Sequence, residues 1–546
     1  MVTVLHKTIY EEEFLMAMME RPNVTVFPDG GKCWEYKFEK FYLKTYLPAT
    51  NIDGEVNNYM FRAPMLTILE EKKQSMEEAI AFAKTSGLSE VASAVDGGIY
   101  FIYPTAEDGW KSQTQELYAA VIAEFKMNPF YKDGIVEITD FFTREFKGYF
   151  VRGAIFRADL YGFGESADYI ARNLLKTVQG EYLWGPGEIT PACVSMERLS
   201  VIPAPERKDI GVISVGNSEA VNAGFAGCEN LLIKDQAEYQ ADFQSFVRKF
   251  KMWCGNMEIE PDFEALDMTE EAGCIVVKTA PENHGRYKDT KEHKVGYFAY
   301  YNNNAFDNGP APLLMGFHGG GDSSMFLTFV SGWWEICHRY GFLYVAIDNH
   351  QDVPAAEAVQ VIEAVKQRYQ VDEHRIYATG FSMGSGKTWG MFQEFPSLFA
   401  GLAPASALFP VKNNMFGKSI DDGINMDVPV ALFYSGGEKS HLPELPFQAE
   451  QGIERVQYAA RVNRCKCKFD VSFADKDKWE DPVYGVPGDR VEVLHDDSRG
   501  SDLTIRYYDS EDGVCRTAFA SISGQVHECR HHTNEAAWNF ISKFTR

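Results

Sequence analysis

The chain is short of positive charge. Lys and Arg number 53 against 78 Asp and Glu, a formal net charge of −25, and no basic run offsets it. Such a surface repels phosphate backbones, so no nucleic-acid partner is expected. Apolar runs of membrane-spanning length are also missing, which removes a helical membrane span. The first residues, "MVTVLHKTIYEEEFLMAMME", lack a basic start followed by an apolar core, so the expected location is cytoplasmic. Cysteine is not concentrated either: ten are scattered over both halves, as suits reduced thiols rather than a disulfide framework. Cys465-x-Cys467 has no second Cys pair to complete a zinc site, and "HECRHH" reads as buried thiol and surface histidines. No metal and no cofactor is expected.

One absence decides between two chemistries. The stretch "ATGFSMGSGKT" (378–388) ends like a phosphate-binding loop and contains Gly-x-Ser-x-Gly. A phosphate loop needs Gly, four residues, then Gly-Lys-Ser/Thr, so that consecutive backbone N–H groups wrap a phosphate. Counted back from Gly386, that glycine falls on Phe381. The hydrolase pattern fits throughout, with Gly380, Ser382 and Gly384. There the chain turns sharply from strand to helix, and the small residues let backbones approach. "HRIYATG" before it reads as a strand and "GKTWGMFQEF" after it as a helix.

What is present is a globular α/β chain. With 546 residues it is too long for one core, and length alone suggests about two to four domains. In the second half, "HKVGYFAYYN", "APLLMGFHGGG", "GFLYVAID", the strand before Ser382 and "DVPVALFYSGG" alternate with helix-like segments. That order predicts a mostly parallel sheet covered on both faces. "TNEAAWNFISKF" reads as a closing helix with Thr533 as N-cap. The first half repeats the order faintly. "RAPMLTILEEKK" matches "PAPLLMGFHGGG", "GGIYFIYPT" matches "YGFLYVAID", "ADLYGFGESADYIARNL" matches the Ser382 segment, and "ITPACVS" matches "LAPASAL". Gly162 then stands where the second copy has Ser382, and Glu70-Glu71-Lys72 where it has His318-Gly319-Gly320. The expected organisation is a degenerate, non-catalytic copy over 1–255 and a catalytic domain over 256–546.

A serine hydroxyl needs an adjacent base, which an acid in turn orients. His527, ahead of the last helix, is the expected base, with His531 and His532 as nearby competitors. The acid is expected after "VPVALFYSGG". Glu438 is the first carboxylate there and Glu444 in "LPELP" competes; Asp470, Asp475 and Asp477 lie farther on. The tetrahedral oxyanion needs two N–H donors, expected from Met383 and from Gly319 and Gly320 in "FHGGGDSS". Bulky residues near the motifs, Met325, Trp333, Trp334 and Trp389, are candidates for a substrate pocket.

Together, "HGGGDSS", "VDEHRIYATGFSMGSGKTWGMFQEFPSLFAGLAPASA" and "GQVHECRHHTNEAAWNFISKF" resemble the polyhydroxybutyrate-depolymerase/feruloyl-esterase branch of the α/β-hydrolases over about residues 270–546. The resemblance implies a serine carboxylic-ester hydrolase using Ser382, His527 and an acid at or near Glu438. Its substrate would be a small-molecule ester: aliphatic, aromatic of feruloyl type, or an acetylated sugar. A serine peptidase on the same scaffold and a non-catalytic scaffold protein are the competing readings. The first copy is expected to cover the active mouth or support a homodimer.

Overall fold

The computed structural model describes residues 25–48, 65–94, 97–122, 158–182, 185–253, 256–281, 291–320, 324–347, 353–408, 411 and 418–546. The chain divides into two compact units, Met1–Pro261 and Asp262–Arg546. The boundary lies a few residues beyond the 255/256 seam read from the sequence.

Unit 1 holds a nine-stranded sheet. Its strands are β1 (Thr25–Val26), β2 (Lys32–Lys37), β3 (Phe41–Leu47), β4 (Met65–Leu69), β5 (Gly98–Pro104), β6 (Ala158–Phe163), β7 (Cys193–Glu197), β8 (Gly211–Val215) and β9 (Asn230–Lys234). They lie in the order β1-β2-β3-β5-β4-β6-β7-β8-β9. Unit 2 holds a ten-stranded sheet. Its strands are β10 (Met268–Lys278), β11 (Glu292–Asn302), β12 (Ala311–Phe317), β13 (Leu343–Ile347), β14 (Val371–Phe381), β15 (Gly401–Ala405), β16 (Ala431–Gly437), β17 (Arg490–Asp496), β18 (Ser501–Tyr508) and β19 (Thr517–Ile522). Their order is β10-β11-β13-β12-β14-β15-β16-β19-β18-β17. The fold is α/β, and its central strands are parallel, as the alternation of elements predicts.

From β2 to β9, unit 1 follows the strand order of unit 2 from β10 to β19. The directions agree as well: the first two pairings are antiparallel and the rest parallel. Register carries the match to single residues. Leu69 faces Gly162 as Phe317 faces Gly380, and Phe163 faces Glu197 as Phe381 faces Ala405. This corrects the sequence alignment of the turn: Gly162 corresponds to Gly380, and the residue at the place of Ser382 is Gly164. The alignment had slipped by two residues. A two-residue slip keeps every strand side chain on its own face, so the hydrophobic pattern does not oppose it.

Burial explains why the middle strands are apolar throughout. Every residue of β13, β15 and β16 is buried, as parallel strands covered on both faces require. Leu313, Met315, Val345, Ala378, Leu402 and Leu432 form one cluster with Val361, Ile362 and Phe392 from the helices. Each large aliphatic side chain so buried contributes roughly 1.5–3 kcal/mol. Two helices matter for the site: α1 (Glu165–Asn173) follows β6 in unit 1, and α2 (Met383–Glu394) follows β14 in unit 2. The closing helix α3 spans His531–Ile541 with Arg530 at its N-cap. It starts ahead of Thr533, which is buried inside the first turn rather than capping it.

Candidate active site

The site begins with a strained turn. Ser382 stands between β14 and α2 with φ 55° and ψ −113°. A positive φ costs a side-chain-bearing residue energy, and such strain persists only where the surroundings impose it. Here they do. The Ser382 N–H donates to the Ala405 carbonyl at 2.9 Å, tying the turn to the end of β15. The glycines on either side are obligatory. A Cβ on Gly380 would lie 2.1 Å from the Gly384 carbonyl oxygen, and one on Gly384 would lie 1.9 Å from the Phe317 carbonyl oxygen. The turn therefore presses the start of α2 against the end of β12, and the serine projects from the top of the sheet.

Lys387 and Thr388, which give the stretch its phosphate-loop look, point elsewhere. Both side chains are buried, and the Thr388 hydroxyl donates to the Gly384 carbonyl at 2.9 Å. The turn holds up a hydroxyl and does not cradle a phosphate.

His527 reaches this hydroxyl from the loop between β19 and α3. Its Nε2 lies 2.9 Å from Ser382 Oγ. Its Nδ1 lies 2.5 Å from Glu444 Oε1. A carboxylate accepts, so Nδ1 carries the proton and Nε2 is left free to take the serine proton. The Phe381 ring backs the imidazole at 4.8 Å between centroids. His531 faces Glu335 at 3.3 Å, and it and His532 open α3 instead of joining the site.

The carboxylate that meets His527 is that of Glu444, not of Glu438 as first expected. The Glu444 side chain is fully buried, and its second oxygen accepts the Gly437 N–H at 2.6 Å. Glu438 lies at the end of β16, but its Oε1 accepts from the Ser521 hydroxyl at 2.9 Å. Its side chain is held along the sheet edge by the neighbouring strand. The local signal was present: Glu444 sits between Pro443 and Leu445, an apolar setting, whereas Glu438 precedes Lys439 and Ser440. Gln448 fixes the acid loop. Its Oε1 accepts the N–H groups of Glu444 and Leu445 at 2.8 and 2.9 Å. Its Nε2 donates to the Gly437 and Glu438 carbonyls at 3.1 and 3.4 Å. Sequence reasoning missed Gln448, since nothing but the fold brings position 448 back to 437.

The two expected oxyanion donors stand close together. Met383 opens α2, so its N–H has no acceptor within the helix. Gly319 and Gly320 follow β12, the strand end against which Gly384 is pressed. His318 Nδ1 donates to the Gly319 carbonyl at 2.7 Å and holds that loop from within.

Two of the three expected pocket tryptophans are buried in the core. Trp333 and Trp389 are core residues, 0% and 1% exposed. Trp389 packs on Phe392 and Tyr434, with the Arg455 guanidinium 4.8 Å from its ring. Trp334 meets Phe263 edge-on at 6.1 Å. Helical spacing turned the Trp333 and Trp389 rings toward the sheet, against Tyr344 and Tyr434. The side chain of Met325 lies outside the described residues.

The corresponding turn in unit 1 has a glycine where unit 2 has Ser382. Gly164 adopts φ 57° and ψ −120°, and its N–H donates to the Glu197 carbonyl at 2.9 Å. A Cβ placed on Gly164 would lie 2.4 Å from Glu71 Oε1. The only histidine before Asp262 is His6. After β8, where unit 2 places its acid loop, Asn217 bonds Met196, Ser214 and Leu199.

No family model matches the chain. The bifunctional acetylxylan esterase/xylanase XynS20E of Neocallimastix patriciarum is 26% identical over 154 residues, which span 26% of this chain and 21% of that protein. Among solved structures, a serine-to-alanine mutant of the feruloyl esterase module from Clostridium thermocellum, complexed with sinapinate, is 12% identical. The match covers 52% of this chain and 92% of that one, with a TM-score of 0.32. The acetyl xylan esterase from Aspergillus awamori is also 12% identical, covering 49% of this chain and 98% of that one, with a TM-score of 0.31.

Proposed function

We propose that this protein is a serine carboxylic-ester hydrolase acting on acetylated or feruloylated sugar esters. The observation that carries the reading is the unbroken chain from Ser382 Oγ through His527 to the buried Glu444 carboxylate. His527 Nε2 takes the hydroxyl proton as Ser382 attacks the ester carbonyl. The Met383 N–H and the loop of Gly319 and Gly320 stabilise the oxyanion. His527 then returns the proton to the departing alkoxide, which leaves an acyl-enzyme. Water activated by the same nitrogen attacks that acyl group and frees the acid. Glu444 keeps the imidazole in the required tautomer and offsets its charge when protonated. The names of the similar proteins, with acetylxylan and feruloyl esters, support the choice of ester.

Unit 1 is a degenerate copy without hydrolytic chemistry. Gly164 stands in the place of the nucleophile, and Glu71 Oε1 lies beside it where a side chain's Cβ would project.

The test compares wild type with Ser382→Ala on p-nitrophenyl acetate, methyl ferulate and acetylated xylan. Loss of turnover with an unchanged circular dichroism spectrum is expected. Equal rates for the two proteins would sink the reading.

A further inference from the structure

We propose that unit 1 retains a binding site for a neutral sugar ring in the place where unit 2 has its catalytic mouth. A cavity of about 180 Å³ opens beside the loop after β4. Phe82, Tyr161 and Phe163 form its walls, and Glu71, Lys72 and Gln74 stand at its mouth. By strand correspondence this loop is the counterpart of His318-Gly319-Gly320, and Phe163 is the counterpart of Phe381. Among the described residues, unit 1 has no counterpart of Ser382 or His527 but has a concavity at the same strand ends.

The lining indicates what the site would hold. Three aromatic rings beside a carboxylate, an ammonium and an amide suit a molecule that is apolar on one face and hydroxylated at its edge, as a pyranose is. The rings are firmly set: Phe82 and Tyr161 lie 5.9 Å apart, and the Tyr161 hydroxyl donates to Glu197 at 3.2 Å. A carboxylate and an amide accept from sugar hydroxyls, and an ammonium donates to them. Charge favours a neutral ligand. Glu70 is paired within the fold to Lys44 at 2.9 Å, and at the mouth Glu71 and Lys72 oppose one another. The volume favours one ring rather than a large ligand, since pockets that swallow a drug-sized molecule measure roughly 300–1,000 Å³. The site then grips one residue of a longer chain. The choice of a sugar rests on the substrate class proposed above, whereas the existence of the site does not.

The test uses the full-length Ser382→Ala protein, which cannot turn over substrate, titrated calorimetrically with xylohexaose and cellohexaose, neither of which carries an ester. Saturable binding to at least one is expected. Phe82→Ala should weaken it about tenfold or more, and the double variant Glu71→Ala/Lys72→Ala severalfold. Both mouth residues are exposed, so the double variant keeps its fold. The same changes made with Ser382 intact should leave p-nitrophenyl acetate hydrolysis unchanged. Absence of binding to both oligosaccharides at millimolar concentration, or binding indifferent to all these changes, overturns the proposal. Sugar binding without any esterase activity would instead overturn the hydrolase reading and leave this one standing.

Discussion

Gly164 and Ser382 hold the same strained backbone, φ 57° and ψ −120° against φ 55° and ψ −113°, at the same point of two sheets with the same strand order. One position carries a hydroxyl on this conformation and the other does not. Placing a side chain on Gly164 should cost stability through its left-handed backbone, since the exposed Glu71 can swing aside. Gly164→Ser is expected to lower the unfolding free energy by about 1–2 kcal/mol, measured in urea. It should bring no ester hydrolysis when combined with Ser382→Ala, because the described residues of unit 1 include no histidine. Turnover in that double variant would refute the silent assignment of unit 1.

The acid assignment separates two neighbours. Glu444→Gln should lower kcat on the order of 10³–10⁴-fold, since the imidazole loses the partner that fixes its tautomer. Glu438→Gln should lower it less than about tenfold, because its carboxylate serves Ser521 and not His527. Steady-state kinetics on one soluble ester decides between them, and the reverse ranking would return the role to Glu438.

Gln448 touches no reacting atom but positions one that does. Gln448→Met removes all four of its side-chain hydrogen bonds to the acid loop. A loosened acid should lower kcat by about 10²-fold with KM nearly unchanged. Gln448→Glu can still accept the two N–H groups and should retain part of the rate. A rise in KM without a fall in kcat would assign Gln448 to substrate binding instead.

The thiols should be unreactive at neutral pH. Burial pushes both Cys465 and Cys467 up to about 11, so only a small fraction is thiolate at pH 8. Alkylation of Cys467, the more accessible of the two, should speed up about tenfold per pH unit between pH 8 and 10. Peptide mapping after iodoacetamide pulses reads this directly, and a rate that levels off above about pH 9 would mean an ordinary exposed thiol.

Much of the site was legible because its signals are local. The turn around Ser382 is written in one short stretch, where sterics dictate Gly380 and Gly384. His527 could be read from its place ahead of the last helix. Glu444 was harder, since an acid on a loop is fixed by where the loop folds back, and only the apolar neighbours of Glu444 hinted at burial. The tryptophans misled because an aromatic near a motif in sequence can face the opposite side of its helix, as Trp333 and Trp389 do. The repeat was visible through its hydrophobic pattern, but that pattern has period two and could not hold the register of the turn. Gly162 took a place that belongs to Gly164 for this reason. The Gln448 contacts and the approach of Glu71 to the Gly164 turn depend on three-dimensional closure and left no trace in the sequence.

The two sheets finish differently. In unit 2, β19 is buried from end to end and sheltered by β18 and then β17. In unit 1, among the described residues, β9 pairs with β8 alone, and Ile233 on it is 48% exposed. Its free row of amide and carbonyl groups, beside the apolar run Leu231-Leu232-Ile233, is a template on which another extended strand could add. Lys234 at its end, paired with Glu238 at 2.8 Å, is the charge that interrupts this run. Replacing Lys234 with an apolar residue would therefore be felt first as loss of soluble protein, with the Ser382–His527–Glu444 cluster itself untouched.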